Sequence, residues 1–200
     1  MSYTIIGLGK IGTAIAQAFA RQGIEVAVAG RRPLDALAAQ IGPSLTPKRI
    51  EDALKADVVI LAMPFAAHRD IGLAAESWQG KIVIDATNAF GVPPEELGGL
   101  PSTAALAKSF PGAKVVKAFN HLPASVLAQG ARTPQGGRRV VFISSDDDAA
   151  SASVAALAER LDFAPIELGK IGEGGLLVQA RGNTWGQLVF QDLARFSSSN

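Results

Sequence analysis

Three short runs of this 200-residue chain carry residue types whose spacing can do chemistry. The first is Gly7-Leu8-Gly9-Lys10-Ile11-Gly12, a G-x-G-x-x-G set between an apolar, β-prone run and a stretch of helical periodicity. There Gly7 allows a tight turn, Gly9 lets a pyrophosphate approach the backbone, and Gly12 lets the helix pack close to the strand. Unpaired N–H groups at the helix start then face the phosphates, aided by the helix dipole. The second run is Arg31-Arg32, just past VAVAG. Many dinucleotide-binding domains place an acid there for the adenosine-ribose hydroxyls, whereas an Arg accommodates a 2′-phosphate. Glu25 lies at the beginning of the same strand and cannot replace the acid. The pair therefore predicts NADP(H) over NAD(H); the competing reading is two solvated surface arginines.

The third group lies where later strands end, because ligands of such sheets bind beyond the carboxyl ends of the strands. Ala62, Met63 and Pro64 can wall the cofactor or merely end a buried strand. Thr87 and Asn88 can offer hydrogen bonds to a nicotinamide amide or a substrate carbonyl, or serve as turn chemistry. Asn120 and His121 follow another strand, and His121 is either a proton donor or a loop histidine without a role. His68 belongs to the helix after Pro64. Asp85 is expected to cap or orient its own loop. Phe119, Leu122 and Trp185 are candidates to line an apolar slot.

Composition narrows the classes. Hydrophobic residues make up 48% and charged residues 18%, which fits a globular domain. A net charge of +1 gives no reason to expect nucleic acid or an anionic membrane as partner. The chain has no cysteine, hence no thiol nucleophile and no thiolate metal site. No cluster of histidines and carboxylates suggests a metal. The longest apolar run, Val58 to Ala67, contains Pro64 and is far short of the ~20 residues that cross a bilayer. With no basic leader ahead of the first strand, a cytoplasmic protein is the expectation.

The elements that must position these residues alternate. Strand-like runs are Tyr3–Ile6, Glu25–Ala29, Ser44–Lys48, Val58–Met63, Lys81–Asp85, Lys114–Ala118, Val140–Ser144 and Ala164–Leu168. Helical patterns include Thr13–Arg21, a segment from Pro33 to Gly42, and Asp148–Leu161. This alternation predicts an α/β doubly wound parallel sheet of the Rossmann type. No linker divides residues 1–200, so one domain is expected. Its last part, about 170–200, is expected to be a helical extension, with apolar residues at Trp185, Leu188, Val189 and Leu193.

Six motifs in order (GLGKIGTAIAQAFARQG, VAVAGRR, VVILAMP, KIVIDATN, PGAKVVKAFN and VVFISSDDDAA) together resemble the NADPH-dependent coenzyme F420 reductase family. The cytosolic domains of STEAP-type ferric reductases are similar too. The resemblance implies a Rossmann domain that binds NADP(H) and passes a hydride to a deazaflavin (coenzyme F420) or a flavin. It implies that Leu8 to Ile11 cradle the pyrophosphate, that Arg31 and Arg32 take the 2′-phosphate, and that Met63 and Pro64 border the cofactor. Asn120 to Leu122 would then lie near the nicotinamide and the acceptor. The chain departs from the family at Gly30, where some relatives have Ser, and at Asn120, where archaeal relatives have His. A homodimer is expected by analogy alone. The sole tyrosine, Tyr3, sits in the first strand, so the Tyr-x-x-x-Lys catalysis of short-chain dehydrogenases is absent. Two other readings stay open: a non-catalytic NADP(H) sensor, and a reductase of a small carbonyl or imine, which needs a proton donor.

Overall fold

Apolar runs with no polar face have to be covered on both sides, and the chain does this with one sheet between two layers of helices. The structure, a computed structural model, describes residues 1–180 and 193–195. β1 (Tyr3–Ile6) leads into α1 (Lys10–Arg21), then β2 (Val26–Ala29), α2 (Asp35–Ile41), β3 (Leu45–Pro47), α3 (Ile50–Ala53) and β4 (Val58–Leu61). The second half brings α4 (His68–Ala74), β5 (Ile82–Asp85), α5 (Ser102–Ala107), β6 (Lys114–Ala118), α6 (Ala124–Ala128), β7 (Arg138–Ser145), α7 (Asp148–Arg160) and β8 (Ala164–Glu167). The two-residue β9 (Ala194–Arg195) is added last.

The strand order is β3-β2-β1-β4-β5-β6-β7-β8, with β9 paired to β7. The order reverses between β1 and β4, which opens a crevice at their carboxyl ends. Every pairing from β3 to β6 is parallel. β7 differs from the expected all-parallel sheet: it runs antiparallel to β6, with Lys117 opposite Ser144. A helix that returned the chain to the amino end of the sheet would have made β7 parallel. The five-residue α6 is too short for that, so β7 enters from the carboxyl end.

One core, on the α1, α6 and α7 side, gathers Ile5, Ile15, Phe19, Ile60, Ile84 and Phe163. The other, under α4 and α5, holds Leu61, Trp78, Val83, Leu106 and Phe110. Two short expectations shift at their edges. The first helix starts at Lys10, so the glycine loop ends where the helix begins, and the segment after Pro33 becomes helical only at Asp35.

Of the expected C-terminal helix, Trp185, Leu188 and Val189 lie outside the described residues. The part that is described is extended: Arg195 pairs with Arg138 and Ala194 with Arg139 in an antiparallel ladder. Residues Gly174–Val178 form a 3-10 turn. No helix among the described residues is long and apolar enough to cross a membrane.

Candidate functional site

β1 ends at Ile6, and the Gly7 N–H bonds to the Ala29 carbonyl at 2.8 Å, tying the loop to the end of β2. Gly7 has φ +95°, and a Cβ on it would lie 2.8 Å from the Ala62 carbonyl oxygen. A Cβ on Gly12 would collide with the Gly7 carbonyl oxygen. These two glycines are demanded by the fold itself.

Gly9 is different. Its φ of −76° suits any residue, and a Cβ there would meet nothing within 4 Å. The first bond of α1 runs from the Thr13 N–H to the Gly9 carbonyl at 2.9 Å, so the N–H groups of Lys10, Ile11 and Gly12 have no acceptor among the described residues. Together they form a cradle open to an anion.

Beside it, at the end of β2, Arg31 and Arg32 are exposed, and neither makes a hydrogen bond or ion pair among the described residues. Across the crevice, Ala62 and Met63 are partly exposed and Pro64 exposed; Ala62 and Met63 touch the position of Gly7. Leu8, by contrast, is buried in the core beneath the loop.

The ends of β5 and β6 are joined by a buried polar cluster. One Asp85 carboxylate oxygen accepts from the Thr87 N–H at 2.9 Å and the Thr87 hydroxyl at 2.6 Å. The other accepts from the Thr103 hydroxyl at 2.6 Å and lies 3.4 Å from Lys117 Nζ. Lys117 also donates to Thr103 Oγ1 at 2.9 Å and to the Thr87 carbonyl at 3.4 Å. Asp85 thus orients its own loop, as its position suggested.

Asn88 Nδ2 donates to the Asn120 carbonyl at 2.8 Å, and Asn120 Nδ2 donates to Asn88 Oδ1 at 3.1 Å and to the Val178 carbonyl at 2.8 Å. The polar atoms of the Thr87 and Asn88 side chains are therefore engaged with the protein, and what they present to a ligand is a fixed loop. Lys117 and Thr103 escaped the sequence reading. The available signal was Lys117, a second lysine in the short strand KVVKA, set among its apolar residues.

His121 does not stand at the mouth of the crevice. It is 2% exposed, lies against the Phe142 ring at 5.0 Å, and its Nε2 is 3.1 Å from the Val140 carbonyl. The Nδ1 atom has no hydrogen-bond partner among the described residues. Burial depresses its pKa from 6.5 to about 4, so it is neutral and poorly placed to donate a proton. Phe119 and Leu122 are corrected as well. Phe119, at φ +62°, is buried against Phe163 at 5.9 Å, and both residues belong to the core on the α1 side rather than to an acceptor slot. His68 is buried on α4, with Nδ1 2.6 Å from the Phe65 carbonyl.

His121 carries a pH prediction. Its folded pKa lies below the unfolded value, so the unfolded chain binds more protons between about pH 4 and 6.5. Stability is then full above pH 6.5 and is lost as pH falls towards 4, by roughly 3 kcal/mol in all. Urea unfolding at a series of pH values should show this slope in the wild type, and His121→Gln should flatten it. Among the shifted carboxylates, Asp52, Asp57 and Asp147 have lowered pKa values and act below that window.

An open cavity of about 490 Å³ bordered by Tyr3, Glu25, Lys48 and Lys55 lies at the opposite, amino end of the sheet and shares no residue with this crevice. No group of three or more metal-ligating side chains occurs among the described residues.

The switch-point crevice, the glycine loop at a helix start and the free basic pair define a dinucleotide-binding Rossmann domain. Comparison with known proteins makes the class narrower. Residues 2–89 match the family model "NADP oxidoreductase coenzyme F420-dependent". A solved structure of a hypothetical protein from Sinorhizobium meliloti is 38% identical, with 99% of this chain and 96% of that one covered and a TM-score of 0.86. A protein of Arthrobacter sp. FB24, to which F420-dependent NADP reduction has been attributed, is 30% identical over 86% of each chain, with a TM-score of 0.68. The rat metalloreductase STEAP3 is 32% identical over 170 residues, 84% of this chain and 33% of its own length. The chain spans about a third of the length of the curated relatives it matches. It belongs to the coenzyme F420-dependent NADP oxidoreductase family.

Proposed function

We propose that this protein transfers a hydride between NADPH and a flat redox ring, a deazaflavin such as coenzyme F420 or a flavin. One observation carries the cofactor half: a Cβ on Gly9 would meet none of the described residues within 4 Å, so we read the glycine as serving a ligand that must come close to the backbone. The free N–H groups of Lys10, Ile11 and Gly12 would take the pyrophosphate, Arg31 and Arg32 the 2′-phosphate, and Ala62, Met63 and Pro64 would flank the dinucleotide. The loop Thr87-Asn88 and Asn120 would floor the nicotinamide end. When bound, NADPH supplies the hydride, and the residues of the chain bind it, orient it and exclude water.

The acceptor half is supported by what the site lacks. His121 is buried and neutral, and it is the one histidine beside the ends of β5 and β6. Reduction of a carbonyl or imine develops charge on the reacting atom and needs a proton donor there. A deazaflavin or flavin ring instead delocalises the charge of the incoming hydride and takes its balancing proton on a ring nitrogen from solvent. The family model and the Arthrobacter protein point to F420, and the metalloreductase relatives to reduction of a metal. The coenzyme F420 reading is the one we adopt, in a soluble cytoplasmic enzyme with a second subunit as its natural partner.

Anaerobic oxidation of NADPH, read as loss of its absorbance with F420, FMN, FAD and buffer in parallel, tests this. Turnover with F420 above the flavins and above NADH controls is the expected result. Tight NADPH binding without turnover on any acceptor would instead support a sensor.

A further inference from the structure

We propose that the buried Asp85–Lys117 pair is a positioning device for the nicotinamide half of the dinucleotide, an assignment that rests on the cofactor reading above. Asp85 is 0% and Lys117 2% exposed, each within a strand that is otherwise mostly apolar. A buried ion pair is poor evidence for stability, since apolar residues of similar size often serve as well. What this pair does is local. It occupies all three polar groups of Thr87: the N–H and hydroxyl bond to Asp85, and the carbonyl accepts from Lys117.

With Thr87 held in this way, the next side chain, Asn88, is directed across to Asn120. Asn120 in turn grips the Val178 carbonyl, and its Oδ1 is buried with no donor among the described residues. The chain of contacts runs from Lys117 through Thr87 and Asn88 to Asn120 and spans the carboxyl ends of β5 and β6. None of it reaches the glycine loop or the arginines. Asp85 and Lys117 are buried behind the loop and act through Thr87.

The separation gives the test. The ligand 2′,5′-ADP carries the adenosine and 2′-phosphate but no nicotinamide, so it reads the glycine-loop side alone. In calorimetric titrations, Lys117→Met should weaken NADPH by about tenfold, the loss of roughly one hydrogen bond to a charged group, with 2′,5′-ADP within about twofold of wild type. Pairing that change with Asp85→Asn removes the unpaired buried carboxylate. The double variant should regain thermal stability without regaining NADPH affinity, because no donor then reaches the Thr87 carbonyl.

Should Lys117→Met not fold, Thr103→Val, which deletes one hydroxyl of the cluster, should shift the ratio of the two affinities in the same direction by a smaller factor. Parallel weakening of both ligands, an unchanged ratio in every variant, or recovery of NADPH affinity together with stability in the double variant would overturn the proposal. A wild-type chain that binds neither ligand would overturn the cofactor reading first and this assignment with it.

Discussion

Replacing Arg31 and Arg32 together with alanine is expected to weaken NADPH by a factor of about 10² to 10⁴ while NADH binding stays within about threefold. Each guanidinium can form a charge-assisted bond to a phosphate, worth about 1.5–3 kcal/mol. Two such bonds give that range, and NADH has no 2′-phosphate to lose them. Both side chains are exposed and without partners among the described residues, so the change should leave the fold intact. The contribution is electrostatic and near the surface, so the wild-type preference should also shrink as salt is raised. Titration of both dinucleotides against wild type and double variant checks it. If the two weaken equally, or neither does, the arginines are surface residues and the phosphate assignment is wrong.

Gly9→Ala and Gly12→Ala are expected to fail in opposite ways, although both alter the same six-residue loop. At Gly12 the added methyl meets the Gly7 carbonyl oxygen, backbone against backbone, and neither can give way without moving β1 or α1. A loss of about 3 kcal/mol is expected, at the upper end for overpacking, or roughly 6–12 °C in the melting temperature for a chain of this size. At Gly9 the methyl enters open space, so the apo protein should melt as wild type does. NADPH affinity should nevertheless fall by about 10- to 100-fold, as when a charge-assisted contact to the pyrophosphate is lost. Thermal melts with and without NADPH separate the two outcomes. A Gly9→Ala protein that binds NADPH normally would remove the main support for the cradle.

Much of this site could be read from residue order. The alternation of apolar runs and helical spacing was enough for a doubly wound sheet, because strands buried on both faces cannot be anything but apolar. The G-x-G-x-x-G and the absent acid after VAVAG were enough to expect a tight glycine turn into a helix and an exposed basic pair at the ends of β1 and β2. Both signals are local: a turn, a helix start and a strand end are set by neighbours a few residues apart. Even the polar ends of β5 and β6 were visible as candidates.

What the sequence left open were the features that depend on distant parts of the chain. The direction of β7 follows from how short α6 proves to be. His121 looks accessible in sequence because it follows a strand; it is buried because Phe142 and the Val140 carbonyl of β7 close over it. Phe119 and Leu122 likewise pack into a core formed by α1 and Phe163 instead of lining a slot. Thr87 looked free to meet a ligand, yet its groups are taken by Lys117, thirty residues further on, and by Asp85, itself held by Thr103.

By itself, then, the sequence determined the class of fold, the glycine turn after the first strand and the basic pair after the second, all of which rest on local backbone geometry and hydrophobic period. The tertiary structure alone decided which polar groups are already satisfied by the protein. That is a question of who stands opposite whom across the sheet, and hydrogen bonds between strands, loops and helices far apart in the chain are what answer it.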